Sequence, residues 1–366
     1  MTLFSALASM SVGCSSASQA DGDSADEGAS TSAATCDQYV APQNESACTS
    51  CHGSSCQANG CYNGYWCHET VGKCVAAPPS GCSASNGPVI LSSFETPTSA
   101  GLQPVIDAIG GAKTSIRMAI YHLTVQAVVD ALAAAAQRKP AVDVAIIVDQ
   151  ANWNDHTPQS IKDELSNAGV KVTPSSTGFR ITHEKSFVID ESTAYIMSLN
   201  LTSPYTTTRD YAVVTNDKSV VQEFLSVFDA DLQNAASGTA NTPPLSSPYL
   251  VWSPIDSESK LVSLIQSAKK TLVVSSENLG DDAIDQALIA AAKTVEVRVI
   301  APHCDQNQNP YYDMPTLKTL NDSGVQARAI PSPSSADVHF EHAKMIIADG
   351  NNGYIGSVNL STASTT

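Results

Sequence analysis

The chain has 366 residues, of which 42% are hydrophobic and 15% charged, a composition typical of a globular protein with room for about two domains. No run of apolar residues approaches the ~18 that a membrane-spanning helix needs. The formal net charge is −17. Because an acidic protein repels polyanions, this charge disfavours nucleic acid as a substrate.

The first 35 residues predict an export signal followed by a tether. A short apolar segment precedes residues 11–14 (SVGC), which are similar to a bacterial lipobox and would make Cys14 a lipidated residue. The alternative is an ordinary signal peptide whose start lies upstream of Met1. Residues 15–35 are small, acidic and poor in apolar side chains, which predicts a disordered linker. We therefore expect an exported protein, secreted or lipid-anchored at the bacterial cell envelope.

Residues 36–82 contain eight of the ten cysteines. An even number at this density predicts a small disulfide-rich module in an oxidising compartment. Residues 48–52 (CTSCH) also match the C-x-x-C-H pattern of covalent haem attachment. The six further cysteines in the same segment favour disulfides over haem, and the oxidising setting disfavours zinc.

From residue 89 onward the chain contains an internal repeat, in which several segments recur in the same order. Clear examples are Asp107–Leu123 with Leu264–Leu279, Ala131–Asp149 with Ala287–Ala301, and Glu164–Val172 with Thr319–Ala327. Helical segments with a 3.6-residue apolar period alternate with short β-branched strands. This alternation predicts an α/β fold, with one repeat over residues 89–236 and a second over 247–366.

A polar pattern, H-x-K-x4-D-x6-[GM]-S-x-N, occurs once in each repeat. Its members are His183, Lys185, Asp190, Ser198 and Asn200, and His342, Lys344, Asp349, Ser357 and Asn359. The apolar runs FVI and MII inside the two copies predict buried strands. Residues i and i+2 of a strand share a face, so each His and its Lys project together. The Asp residues have the opposite parity, and we interpret Asp190 and Asp349 as structural hydrogen-bond partners rather than substrate contacts.

Two such sets brought together fit the chemistry of a phosphodiester. Two lysines and two asparagines can hold the phosphoryl oxygens without a metal. One histidine can attack phosphorus while the other protonates the leaving oxygen. The two imidazoles must then rest in opposite protonation states, which their surroundings have to set.

This pair of motifs is the HKD signature, and residues 90–366 resemble the phospholipase D superfamily. The resemblance implies a two-repeat α/β sandwich with the active site between the repeats, catalysis without metal or cofactor, and a covalent phosphohistidine. It further implies that His183 is the nucleophile and His342 the general acid. Glu277 and Asn278, and the matching Tyr121 and His122, end strands near this site and are pocket candidates.

The resemblance also implies an acidic residue, shortly after the Ser-x-Asn strand, that orients the histidine of its own repeat. Asp210 has this place for His183. Its counterpart for His342 would be residue 369, beyond the last residue of the chain. We therefore expect the second repeat to be incomplete at its C-terminal end, without the strand and helix that follow in the first repeat.

The function expected from these residues is hydrolysis of a phospholipid phosphodiester bond, or its transfer to another alcohol. The partners expected are a phospholipid and a membrane surface, for a protein acting as a monomer. The alternatives within the superfamily are a nuclease and a phosphatidyltransferase similar to cardiolipin synthase. An alternative of a different class is an inactive exported protein that binds phosphate or a surface.

Overall fold

The computed structural model describes residues 3–8, 65–68, 73–76, 87–150, 157–303, 313–330 and 339–365. The predicted lipidation site at Cys14, the linker and the C-x-x-C-H pattern lie outside these residues, as does most of the Cys-rich segment. The chain divides into two compact units. The smaller comprises Met10–Asn86, and the larger comprises Met1–Ser9 with Gly87–Thr366.

The elements are numbered in chain order among the described residues. The strands are β1 (Leu3–Ala8), β2 (Tyr65–His68), β3 (Lys73–Ala76), β4 (Ile90–Thr96), β5 (Ser115–Ile120), β6 (Asp143–Val148), β7 (Lys171–Pro174), β8 (Lys185–Ile189), β9 (Thr193–Met197), β10 (Thr208–Thr215), β11 (Leu250–Ser253), β12 (Thr271–Ser276), β13 (Glu296–Pro302), β14 (Gln326–Ile330), β15 (Phe340–Glu341), β16 (Lys344–Ala348) and β17 (Asn352–Gly356). The helices are α1 (Gln103–Gly111), α2 (Gln126–Gln137), α3 (Gln159–Asn167), α4 (Lys218–Ser237), α5 (Ser257–Ser267), α6 (Asp282–Ala291), α7 (Met314–Asp322) and α8 (Thr362–Thr365). In the smaller unit, β2 and β3 form an antiparallel hairpin.

The first repeat forms a mixed sheet in the order β15-β10-β9-β8-β5-β6-β7, and β4 also pairs with β10. Strands β5, β6 and β7 are parallel, and α2 and α3 make the crossovers that parallel neighbours require. The pairs β5–β8, β8–β9 and β9–β10 are antiparallel, whereas β10 runs parallel to β15. The helix–strand alternation predicted from the sequence is therefore confirmed.

The second sheet has an equivalent strand order, β11-β1-β17-β16-β12-β13-β14, in which β1 comes from the N-terminal segment of the chain. Each repeat has its own apolar core. In the first repeat the core lies among the sheet, α1, α2 and α3. In the second it lies among the sheet, α5, α6 and α7. Strands β9 and β10 of the first sheet contact β17 of the second, and β10 also contacts β16, so the two sheets meet along these strands.

Strand β1 occupies the place in the second sheet that β10 has in the first. It lies between β17 and β11 and runs antiparallel to both. Leu3 pairs with Ser253, the last residue of β11. Asp210 pairs with Thr96, the last residue of β4, so the register puts Leu3 at the position of Asp210. The strand between β17 and β11 therefore comes from the N-terminal segment rather than from residues that follow β17.

Asp190 and Asp349 have the structural role predicted from their parity. Asp190 follows β8 at φ 52° and Asp349 follows β16 at φ 54°. Asp190 accepts hydrogen bonds from the backbone N–H groups of residues 113, 114 and 115 at 2.7–3.1 Å. Asp349 accepts from those of residues 269, 270 and 271 at 2.7–2.9 Å. Each carboxylate thus joins the end of its motif strand to the start of the neighbouring antiparallel strand.

Replacing Asp190 with asparagine is expected to lower the free energy of unfolding by about 1–3 kcal/mol at pH 7. Asparagine tolerates the left-handed backbone but presents an NH₂ group where the structure needs acceptors. Burial works to raise the pKa of Asp190, but the hydrogen bonds from Thr114, Ser115 and Lys113 outweigh it and lower the pKa overall.

Because the folded-state pKa of Asp190 is depressed, its stabilising effect is present above the unfolded-state pKa and is lost as the pH falls through the folded-state pKa. Urea unfolding of wild type and Asp190→Asn should therefore differ most at neutral pH and converge below about pH 4. Asp163→Asn, on the exposed face of α3, is the matched control. An equal loss of stability in the control, or a difference that persists in acid, would contradict the assignment.

No helix among the described residues is both long enough and apolar enough to cross a membrane.

Candidate active site

The two motif lysines begin the central strands of the two sheets. Lys185 is the first residue of β8 and pairs with Ile120 at the end of β5. Lys344 is the first residue of β16 and pairs with Ser276 at the end of β12. Only 1% of Lys185 and none of Lys344 is exposed. Each lysine donates from Nζ to the main-chain carbonyl of the histidine two residues before it. The strands thus bury two ammonium groups, with one beneath each histidine.

Both histidines line a single cleft of about 540 Å³. The other residues that line it include Asn200 and Asp210 from the first repeat, and Asn359 and Glu277 from the second. The amide oxygens of both asparagines are buried and have no hydrogen-bond partner among the described residues. The structure therefore brings together the His and Asn side chains of both motifs, and a turn of either amide would present N–H donors to an anion in the cleft.

Asp210 binds the histidine of the other repeat, not that of its own. Its Oδ1 lies 2.7 Å from Nδ1 of His342. The register explains the contact, because β10 runs parallel to β15 with Arg209 opposite Glu341, and the next residues along the chain are Asp210 and His342. The expectation that Asp210 orients His183 is wrong. A long-range strand pairing between the repeats brings Asp210 to His342.

The environment of Asp210 keeps its carboxylate charged. The residue is 1% exposed, and burial works to raise its pKa, but the positive charge and hydrogen bond of His342, together with Lys344 and Ser198, lower the pKa overall. Ser198 donates from Oγ to Oδ1 of Asp210 at 2.7 Å, while its own Oγ accepts from the N–H of Tyr211. The motif serine therefore positions the carboxylate that holds His342.

In contrast to His342, His183 has an uncharged hydrogen-bond partner. Its Nδ1 lies 3.1 Å from the main-chain carbonyl of Ser357. A carbonyl oxygen can only accept, so Nδ1 carries the proton and Nε2 of the neutral ring has a free lone pair. Burial lowers the pKa of His183 well below its usual value, and the positive charges of Lys185, Lys344 and His342 lower it further.

The residues that follow β5 and β12 differ between the repeats and lie directly over the lysines. The Tyr121 ring centroid is 4.8 Å from Nζ of Lys185 and 4.5 Å from the ring of His183. Glu277 lies 2.7 Å from Nζ of Lys344 and 3.6 Å from Nε2 of His342. Burial works against the charge on Glu277, but Lys344 and His342 lower its pKa to about 2. Both residues were pocket candidates from the sequence, and both line the cleft.

Arg180 and Tyr205 also line the cleft, and sequence reasoning missed both. Arg180 lies in the segment that leads to β8, and Tyr205 in a short 3₁₀ helix over Ser203–Thr206. Neither belongs to the repeated pattern, and only the packing of their loops brings them to the site.

The fold and the cleft define a class of protein: a two-repeat α/β unit in which a His and an Asn from each repeat line one cleft, with a buried Lys beneath each His. A family model described as "Cardiolipin synthase, PLD-like domain" matches residues 105–232 and 261–366. The chain therefore belongs to the phospholipase D-like family. Members of this superfamily are phosphodiesterases or phosphatidyltransferases.

Three solved structures illustrate the similarity. The phospholipase D family member Nuc from Salmonella typhimurium is 29% identical over 40% of this chain and 95% of its own, with a TM-score of 0.37. NucT from Helicobacter pylori is 23% identical over 39% and 95% of the two chains, with a TM-score of 0.36. Phosphatidylserine synthase from Haemophilus influenzae is 14% identical over 72% and 81%, with a TM-score of 0.49. The search of curated proteins found no match.

Proposed function

We propose that the protein is a phospholipase D-type phosphodiesterase that acts through a phosphohistidine on His183. The observation that carries this proposal is the unequal pairing of the two histidines. The Nδ1 of His183 faces a neutral carbonyl at 3.1 Å, whereas that of His342 faces a buried carboxylate at 2.7 Å. A neutral imidazole suits a nucleophile, and an imidazolium held by a carboxylate suits a general acid.

In the first step, Nε2 of His183 attacks phosphorus and an N–P bond forms. The bond from phosphorus to the leaving oxygen breaks, and that oxygen takes the proton from Nε2 of His342. The ring of His183 becomes positively charged, and the Ser357 carbonyl accepts a stronger hydrogen bond from Nδ1. Lys185, Lys344 and the two motif asparagines stabilise the charge on the phosphoryl oxygens.

In the second step, water attacks the phosphohistidine from the side that the alcohol has left. The now neutral His342 takes a proton from this water, and the N–P bond breaks. His183 returns to its neutral state and His342 to its imidazolium state, so the cycle closes. An alcohol in place of water gives transfer rather than hydrolysis through the same groups.

The substrate proposed is a phospholipid with a small alcohol headgroup. The formal net charge of −17 repels a polyanion, and the cleft itself contains the carboxylates of Asp210 and Glu277. The Cys-rich segment indicates an exported protein, whose surroundings offer phospholipid more readily than nucleic acid.

The test uses the purified chain in EDTA with three substrates: phosphatidylcholine vesicles, phosphatidylglycerol vesicles and plasmid DNA. We expect choline release from the first at a rate well above plasmid cleavage. His342→Ala should lower choline release by at least about 100-fold, the contribution typical of general acid–base catalysis. His303→Ala, an exposed histidine outside the cleft, is the control and should retain the wild-type rate.

Each other result excludes this function. Plasmid cleavage without lipid turnover indicates a nuclease. Conversion of phosphatidylglycerol to cardiolipin without choline release indicates a phosphatidyltransferase similar to cardiolipin synthase. Phosphate binding without turnover of any of the three substrates indicates a binding protein.

A further inference from the structure

The two repeats differ in charge at one equivalent position of the site. The N–H of Tyr121 donates to the carbonyl of residue 184 at 2.8 Å, and the N–H of Glu277 donates to that of residue 343 at 3.0 Å. The backbone is therefore the same in both repeats. At this position the first repeat has the ring of Tyr121 over Lys185, and the second has the carboxylate of Glu277 beside Lys344.

Glu277 lines the cleft, and its carboxylate lies beside the motif lysine and histidine of the second repeat. Its Oε2 is 2.7 Å from Nζ of Lys344 and 3.6 Å from Nε2 of His342. These are the groups that, under the proposed mechanism, stabilise the phosphoryl oxygens and protonate the leaving oxygen. An anion that reaches them comes within a few ångströms of a fixed negative charge.

The repulsion from this charge depends on the charge of the bound phosphate. Tyr121 stays neutral, because burial raises its pKa, and Asp149 and Glu277 raise it further. Among the described residues, the position equivalent to Glu277, over Lys185, therefore carries no negative charge. A phosphodiester carries one negative charge, whereas a phosphomonoester or inorganic phosphate carries two at alkaline pH. Repulsion by a single fixed charge is about twice as large for the doubly charged anion.

We propose that Glu277 is a specificity-determining residue that makes the cleft favour singly charged phosphodiesters over doubly charged phosphomonoesters. The choice of phosphate as the ligand rests on the proposed function. Hydrolysis of a diester produces a monoester, which gains a second charge when it ionises. The same carboxylate that admits the substrate therefore weakens the binding of the product and helps to release it.

The test measures binding rather than turnover. Calorimetry at pH 8 compares dimethyl phosphate, a monoanion, with methyl phosphate, a dianion, on the full chain. Glu277→Gln should tighten methyl phosphate by about tenfold and dimethyl phosphate by only about threefold, because removal of one charge favours the dianion more. The exposed Glu296→Gln should change neither affinity.

A reverse variant makes the test independent of any folding defect in Glu277→Gln. Tyr121→Glu places a second carboxylate at the equivalent position and should weaken the binding of methyl phosphate more than that of dimethyl phosphate.

If both variants leave the ratio of the two affinities as in wild type, Glu277 only holds Lys344 and the inference is overturned. If the ratio changes but no diester is turned over, the inference stands and the proposed function fails. If neither anion binds wild type or either variant, both are wrong.

Discussion

Replacing His183 with alanine is expected to abolish turnover of phosphodiesters, with a loss of at least about 10⁴-fold, as for the removal of a covalent nucleophile. The neutral ring of His183, with Nδ1 held by the carbonyl of Ser357, supplies the only lone pair that the proposed first step uses. Choline release from phosphatidylcholine measures the loss. Urea unfolding checks that the variant folds.

A substrate with a 4-nitrophenol leaving group separates the roles of the two histidines. This leaving group departs without protonation, so His342→Ala should still form the phosphohistidine. The second step lacks its base in this variant. We therefore expect a burst of about one nitrophenolate per active site and an acid-labile phosphate on His183. His183→Ala should give neither the burst nor the label. Label on His342 in the His183→Ala variant would reverse the assignment, and full turnover by that variant would refute it.

Most of what could be predicted about the site from the sequence came from the repeated motif. The spacing from His183 to Lys185 identified the chemistry, and strand parity separated these residues from Asp190, which the structure confirms as a backbone acceptor. Such predictions succeed because they depend on local geometry, in which residues two apart on a strand share a face. The helix–strand alternation predicted the α/β fold for the same reason.

What the sequence could not predict depends on contacts between distant segments. The family resemblance implies that Asp210 orients the histidine of its own repeat, His183. The pairing of β10 with β15 brings it instead to His342, 132 residues away. Met197, which replaces the small residue of the second motif, is fully buried in the core of the first repeat and does not line the cleft. Neither result follows from a local pattern, because both depend on how the two sheets pack.

The difference in charge between the two halves of the site could not be predicted from the sequence either. Glu277 and Tyr121 were pocket candidates because both end a strand, but their roles differ with the group each covers. Glu277 is an ion-pair partner of Lys344, whereas Tyr121 covers Lys185 with a ring. The two motifs are nearly identical, and the difference between the two halves of the site comes from residues outside them.

Replacing Asp210 with asparagine is expected to lower the rate of choline release by about 100-fold at neutral pH. The carboxylate stabilises a positive charge on His342 through the contact at 2.7 Å, and an amide cannot do so. His342 then loses the support it needs as a general acid, so the loss should be confined to substrates whose leaving group must be protonated. The nitrophenolate burst, which needs no acid, should stay within about tenfold of the wild-type burst.

Ser198→Ala is the matched control, because it removes a hydrogen bond to the same Oδ1 atom of Asp210 but leaves the charge in place. Its rate of choline release should fall by less than about tenfold, the effect of one neutral hydrogen bond. A role of Asp210 in structure alone predicts an equal loss of choline release and of the nitrophenolate burst in Asp210→Asn. An equal loss would therefore show that the carboxylate does not support His342 as the general acid. The difference in role between the two histidines would then depend on another group. The nearest candidate in the cleft is Glu277, 3.6 Å from Nε2 of His342.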